Sequence, residues 1–267
     1  TRYPFQANTY GLPANIVRDC LLGFIQNHFT DRDKIKNYED WIYFMFGKGI
    51  AEHFMIPYSK KFWGVDPKML TTDWVNVRHP RPSLEEVITG ALEDQTKGFG
   101  INAVFRYPRD GGFGRIGQSL ADQCEGRIHP GMSATRIDAQ RREVEFNGDT
   151  MIGYDNILST IPLPDLVNII PDAPESVREA ARKLRTNSIF VVNIGVNRPN
   201  ITDKTWTYYL EKECSFVRVS FPFNWARSAA PVGTSSMSAE VAYGNDNPLP
   251  VGRDKIGDRV IADLIKA

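Results

Sequence analysis

Cysteine is scarce in this chain: Cys20, Cys124 and Cys214 are the only three in 267 residues. Their odd number and wide spacing exclude a disulfide framework, and they do not supply the closely spaced pairs that a zinc site needs. Histidine is nearly as rare. The four, His28, His53, His79 and His129, share no spacing, and no HExxH or related metal pattern occurs. No GxSxG elbow or paired Cys/His nucleophile is present. Charge of one sign is lacking too: 32 Lys+Arg stand against 32 Asp+Glu. That balance argues against a nucleic-acid partner, which needs a basic stripe or excess. An anionic ligand must then be held by a few placed cations rather than by a general field. No apolar run approaches the ~18 residues of a membrane span, and no signal-peptide pattern is seen. Three unpaired thiols fit a reducing compartment, so a cytoplasmic location is expected.

What is present is an ordinary globular composition, 42% hydrophobic and 24% charged, with a length that fits one large domain or two smaller ones. The chain opens on Thr1-Arg2-Tyr3-Pro4-Phe5 and closes inside an apparent helix at 253–267 with no stop signal. The expectation is a piece of a larger ligand-binding enzyme.

The first ~125 residues read mainly as helix. Apolar residues recur at helical spacing over 13–29. Asn37 is a candidate cap for a helix through Trp41-Ile42-Tyr43-Phe44-Met45-Phe46, which is apolar nearly all round and should be buried. Gly47-Lys48-Gly49 interrupts it, and Pro57 is read as ending the next helical stretch. Ser83-Leu84-Glu85-Glu86 is a capping box. Alternation then takes over: 134–138 and 143–146 form a hairpin, 156–160 a buried strand, and 188–196, 205–210, 216–221 and 235–242 further strands. A helix is expected at 174–184. The segment 154–162 fits a strand of a dinucleotide-binding sheet whose other strands lie outside this chain.

Several residues stand out as carriers of chemistry. Gly111-Gly112-Phe113-Gly114 precedes an expected helix at 118–124; it suits close backbone approach to a ligand, or a plain tight turn. Tyr3-Pro4-Phe5-Gln6 and the run from Phe54 through Tyr58 to Trp63 are dense in rings, which suit stacking on planar ligands or an aromatic core. Arg78, Arg106 and Arg218 sit beside aromatic or apolar runs, as phosphate-binding forks or structural ion pairs. Alternation over 216–221 puts Phe216, Arg218 and Ser220 on one face. It aligns Tyr208 with Arg218 on a neighbouring strand, with Arg78 nearby and no carboxylate neutralising both arginines.

Taken in order, these stretches resemble the UDP-galactopyranose mutases, especially the eukaryotic-type branch, within the flavin fold shared with amine oxidases and protoporphyrinogen oxidases. The resemblance runs through Tyr3-Pro4-Phe5-Gln6-Ala7-Asn8, Asn37-Tyr38-Glu39-Asp40-Trp41-Ile42, Gly47-Lys48-Gly49, Phe54-Met55-Ile56-Pro57-Tyr58 and Phe62-Trp63-Gly64. It continues through Gly100 to Pro108, Gly111-Gly112-Phe113-Gly114, Trp206-Thr207-Tyr208-Tyr209 and Phe216-Val217-Arg218. Ser59 and Val217 depart from it, standing where the eukaryotic-type pattern has Asn and an aromatic.

The resemblance implies a mixed α/β fold: a helical substrate-binding layer, an antiparallel sheet and part of a Rossmann-like FAD domain. It divides the chain into 1–125, 126–165 (part of the FAD domain), 166–250 (strand-rich substrate domain) and 251–267. It implies Tyr3, Phe5, Gln6, Phe54, Tyr58, Trp63, Asn102 and Tyr208 as substrate-binding residues, Arg78 and Arg218 as catalytic, and Gly111, Gly112, Gly114 and Ala134 beside the cofactor. That cofactor is FAD, used reduced, with its main binding motif outside this chain. The implied activity interconverts UDP-galactopyranose and UDP-galactofuranose. A flavin oxidoreductase and a non-catalytic nucleotide-sugar binding module are the alternatives.

Overall fold

The computed structural model describes residues 2–27, 35–75, 81–95, 104–124 and 126–267. The chain divides into two compact units, Thr1–Phe113 with Asn187–Ala267, and Gly114–Thr186. Helices and antiparallel sheets are mixed, as the sequence implies. None of the described helices is long and apolar enough to cross a membrane.

The first unit begins with a helical layer. Helix α1 spans Ala14–Gln26. Helix α2 spans Tyr38–Ile50; the Asn37 side chain accepts the Asp40 N–H at 3.0 Å, and Glu39 and Asp40 lie in the first turn, where acidic groups favour the helix dipole. The all-round apolar character of α2 has the expected result: Tyr38, Ile42, Phe46 and Ile50 are sealed from solvent and pack with Cys20 and Phe24 of α1.

Glycine makes this packing possible. Gly47 adopts φ +73, and a Cβ there would lie 2.0 Å from the Gly23 carbonyl oxygen; a Cβ on Gly49 would lie 2.0 Å from that of Asp19. The two helices therefore meet backbone to backbone, and α2 kinks at Gly47. A π-helical turn, Ala51–Met55, continues the axis into helix α3, Ile56–Trp63. Pro57 thus lies in the first turn of a helix and does not end one. Its missing N–H falls where the π turn gives way to α-helix. Gly64, left-handed at φ 68, closes α3. Helix α4, Leu84–Leu92, carries the capping box in both directions. The Gly90 carbonyl accepts the N–H groups of Thr9 and Tyr10, which ties the first residues of the chain to α4.

The same unit holds a four-stranded antiparallel sheet. Strands β4 (Ser188–Val196), β5 (Trp206–Tyr208), β6 (Arg218–Ser220) and β7 (Ser235–Tyr243) lie in the order β4-β7-β6-β5. Ile256 and Val260 of helix α8 (Ile256–Lys266) join Val219, Phe221, Ala239 and Val241 in its core.

The second unit carries helix α5 (Gly114–Ala121) and the three-stranded sheet β1 (Ala134–Asp138), β2 (Glu143–Phe146) and β3 (Thr150–Gly153). Helices α6 (Leu163–Asn168) and α7 (Glu175–Lys183) follow. The expected hairpin is formed, Ile137 opposite Val144. The strand expected at 156–160 is not: the segment is irregular, and Leu158 is 94% exposed. An extended run becomes a strand only against a partner ladder, and none of the described strands pairs with it.

Candidate functional site

The rings singled out in the sequence line up within the first unit. Phe54, Tyr58 and Phe62 recur every four residues, so they share one side of the helical axis. Phe5 stacks on Phe54 at 4.5 Å with 6° between planes, Phe54 on Tyr58 at 5.5 Å and 8°, and Tyr58 on Phe62 at 5.4 Å and 24°. Trp63 meets Phe62 and Trp74 edge-on. Phe5 and Phe54 also pack against the helical core, as the aromatic-core reading expects. Gln6 is buried in the short turn that carries Phe5, and Tyr3 is 44% exposed.

Tyr58 connects this ladder to the sheet. The Tyr208 ring stands edge-on to it at 5.1 Å and 89°. Tyr208 lies opposite Arg218 in the β5–β6 pair, as the sequence implied, and Arg218 lies opposite Glu240 in the β6–β7 pair. Burial pushes the Tyr58 hydroxyl far above its ordinary pKa, with Tyr208 adding to the shift. It stays a neutral donor at physiological pH.

Arg218 differs from its expectation. Its Nε and Nη2 both donate to Glu240 Oε1, at 2.9 and 2.5 Å, so a carboxylate compensates its charge. Burial alone would lower the pKa of Arg218, but the Glu240 carboxylate outweighs this and the net shift is upward. Tyr208, its neighbour across β5–β6, adds to the upward shift. Phe216 is a further correction: it joins Val219 and Phe221 in the core instead of sharing a face with Arg218. The Glu240 backbone carbonyl accepts the Val217 N–H at 2.8 Å, and Glu240 also stands opposite Arg218 in the strand register. Two residues facing one is the count of a β-bulge, and it shifts the alternation by one position.

The glycine turn also belongs in part to this unit. Gly111 and Gly112 have φ of 78 and 63, in the left-handed region that glycine adopts at no steric cost. Beside them Tyr107 packs on Trp225, and Phe105 packs on both Trp206 and Trp225. Trp206 lies two residues from Tyr208 on β5. The run Gly112-Phe113-Gly114-Arg115-Ile116-Gly117 has the spacing G-x-G-x-x-G, but no strand lies within 104–113. Among the described residues, the strand-to-helix turn that gives this spacing its meaning is not seen. Gly114 opens α5, four residues ahead of the helix start expected at 118. Ala134 opens β1, half-buried; both lie in the second unit. Arg78 and Asn102 fall outside the described residues. Arg106 is exposed.

A cavity of about 650 Å³ in the first unit is lined by Ile56, Pro57 and Lys60 of α3 and by Val241 and Ala242 of β7, and none of the sequence-predicted site residues borders it. Two of its lysines are already paired, Lys60 with Asp66 at 3.0 Å and Lys68 with Glu39 at 3.6 Å. The ring ladder and the Tyr208–Arg218–Glu240 row therefore make the stronger candidate site. Among the described residues, no group of three His, Cys, Asp or Glu side chains is placed to hold a metal ion.

Sequence reasoning missed Glu240, Phe105 and Trp225. Phe105 and Trp225 sit in irregular segments without periodicity. Glu240 carried one signal: a carboxylate inside an apolar strand, which calls for a partner.

Known structures share this architecture. A crystal structure of reduced UDP-galactopyranose mutase matches with a TM-score of 0.89 and 29% identity, over 99% of this chain and 59% of that one. A protein from Exiguobacterium sp. 255-15, named a candidate protoporphyrinogen oxidase, matches at 0.63 and 16%, over 96% of this chain and 56% of that one. An oxidoreductase from Methanosarcina mazei matches at 0.57 and 10%, over 100% and 59%. The chain spans less than two thirds of the length of each. The family model for flavin containing amine oxidoreductases matches residues 32–266, a stretch that takes in Phe54, Tyr58 and Phe62, the glycine turn and every strand of both sheets, and the chain accordingly belongs to the flavin-containing amine oxidoreductase family.

Proposed function

We propose that this chain is the substrate-binding part of an FAD-dependent enzyme of the UDP-galactopyranose mutase type, of the eukaryotic-type branch, acting on a nucleotide sugar. The observation that carries the reading is the continuous row from stacked rings to a cation: Phe5, Phe54 and Tyr58, then Tyr208 and Arg218. A nucleotide sugar has a planar base, a polyol and a diphosphate. Ring faces suit the base and the apolar side of the sugar, and the hydroxyls of Tyr58 and Tyr208 suit its oxygens. The guanidinium suits a phosphate oxygen or a ring oxygen.

FAD, bound in its reduced form, would supply the bond-making chemistry that this set of residues lacks. Gly111 and Gly112 fit its neighbourhood, since left-handed glycines without side chains allow a flat ring system to approach the backbone. Gly114 and the backbone of Ala134 are proposed as further cofactor neighbours. The role of the chain's own residues is to bind, orient and exclude water: the ring ladder covers the sugar, and Arg218 and Tyr208 direct hydrogen bonds to the leaving oxygens. Arg78 is proposed as the second cation and Asn102 as a substrate contact. Tyr3, Gln6 and Trp63 complete the proposed binding surface.

The test is direct. The full-length protein, with its flavin reduced by dithionite, is incubated with UDP-galactopyranose and the products are separated by chromatography. UDP-galactofuranose forming only under reducing conditions is the expected result. No conversion, together with oxygen consumption on an amine or porphyrinogen substrate, would transfer the assignment to an oxidoreductase. The Glu240 partner of Arg218 favours that second reading, because it reduces the charge offered to a diphosphate.

A further inference from the structure

Glu240 is a charged side chain in the middle of the proposed site that substrate stacking does not use. It stands directly across β6–β7 from Arg218, and Tyr208 stands across β5–β6 on the other side, so the three form one row over the sheet. The ion pair is well covered, with side chains 32% and 13% exposed for Arg218 and Glu240. Both Arg218 donors converge on Oε1. Oε2 is buried and has no hydrogen-bond partner among the described residues. Among those residues, Glu240, Tyr208 and Tyr58 are titratable groups that act on Arg218. The Arg218–Glu240 ion pair carries no net charge.

This matters for an incoming anion. A phosphate oxygen attracted by Arg218 is repelled by the carboxylate just behind it. Coulomb energy falls as the inverse of distance, so an opposite charge twice as far away takes back about half of the attraction. A guanidinium opposed in this way still offers directional N–H groups, but it does not clamp a diphosphate as a bare one would.

We propose that Glu240 sets how tightly the site holds an anionic leaving group: it weakens the hold of Arg218 so that the diphosphate can depart and return. Glu240 is then a positioning and charge-setting residue that acts through Arg218. The inference rests on the nucleotide-sugar reading above, and it adds a residue and a direction of effect. Removing the carboxylate should strengthen nucleoside diphosphate binding, where a purely structural carboxylate would weaken it.

The experiment is calorimetric titration of the full-length protein with UDP and, separately, with uridine. Glu240→Gln keeps the shape and one acceptor for Arg218 while removing the charge. UDP should bind about fivefold more tightly to Glu240→Gln, and uridine as to wild type. The gain should shrink in ~1 M salt, where the Debye length is about 3 Å. If Glu240→Gln does not fold, Arg218→Gln and the double variant Arg218→Gln/Glu240→Gln decide. UDP affinity should recover about threefold or more from the single to the double variant, because the double removes a bare carboxylate. Unchanged or weaker UDP binding in Glu240→Gln, no recovery in the double variant, or equal shifts for uridine and UDP would overturn the inference alone. Wild type that fails to bind UDP would overturn the nucleotide-sugar reading and this inference with it.

Discussion

Tyr38, Ile42, Phe46 and Ile50 of α2 are sealed from water, whereas Ile152, Ile157, Leu158 and Leu163 of the second unit are all exposed. The two regions use the same kinds of side chain. The difference is whether a second layer lies against them. In the helical layer, glycines at 23, 47 and 49 bring α1 and α2 into backbone contact, and the rings between them close over. In the second unit, a three-stranded sheet and three helices bury few apolar residues, among them Ile137, Val144 and Ala181. Hydrophobic content is therefore not stability: an apolar side chain contributes only to the extent that it leaves water.

Substitutions should expose this contrast, the strongest first. Gly47→Val places a branched side chain on a left-handed residue and against the Gly23 carbonyl. A loss on the order of 4 kcal/mol is expected, read from the urea midpoint. A near-normal midpoint would show that the seam between α1 and α2 can open. Phe46→Ala should cost about 3 kcal/mol, the scale of a large ring deleted from a sealed core. Trp63→Ala lies between the extremes. Half-buried and edge-on to two rings, it should weaken UDP binding about tenfold while lowering stability less than Phe46→Ala does. The reverse outcome would mark Trp63 as core. Leu158→Ala should lower stability, read from the urea midpoint, by no more than about 0.5 kcal/mol, as for a surface change. A larger effect would mean that the second unit is better covered than its exposure indicates.

Much of the fold was legible in sequence wherever the signal was local. The Asn37 cap, the Ser83 box, the glycine interruption at 47 and the hairpin at 134–146 each depend on residues a few positions apart. The spacing of Phe54, Tyr58 and Phe62 carried the ring ladder, and alternation carried the pairing of Tyr208 with Arg218. What failed was non-local. Glu240 sits 22 residues from Arg218, and only the register between β6 and β7 brings them together. Phe216 was assigned to the wrong face because the bulge at Val217 and Arg218 is a property of two strands, not of one. The run at 156–160 looks like a strand because its residues are apolar, but pairing is decided elsewhere in the chain.

The π turn at Ala51–Met55 has a consequence for how the chain tolerates changes in length. Such a turn is an α-helix that has taken in one extra residue and absorbed it locally. A one-residue deletion within 51–53 can therefore relax the turn to ordinary α-helix and leave Tyr58 facing Tyr208. The same deletion within 59–61 has no such slack. Each residue of an α-helix advances the angular phase by about 100°, so Phe62 and Trp63 would swing to a different side of the axis. One side of Tyr58 thus accepts a one-residue deletion and the other does not.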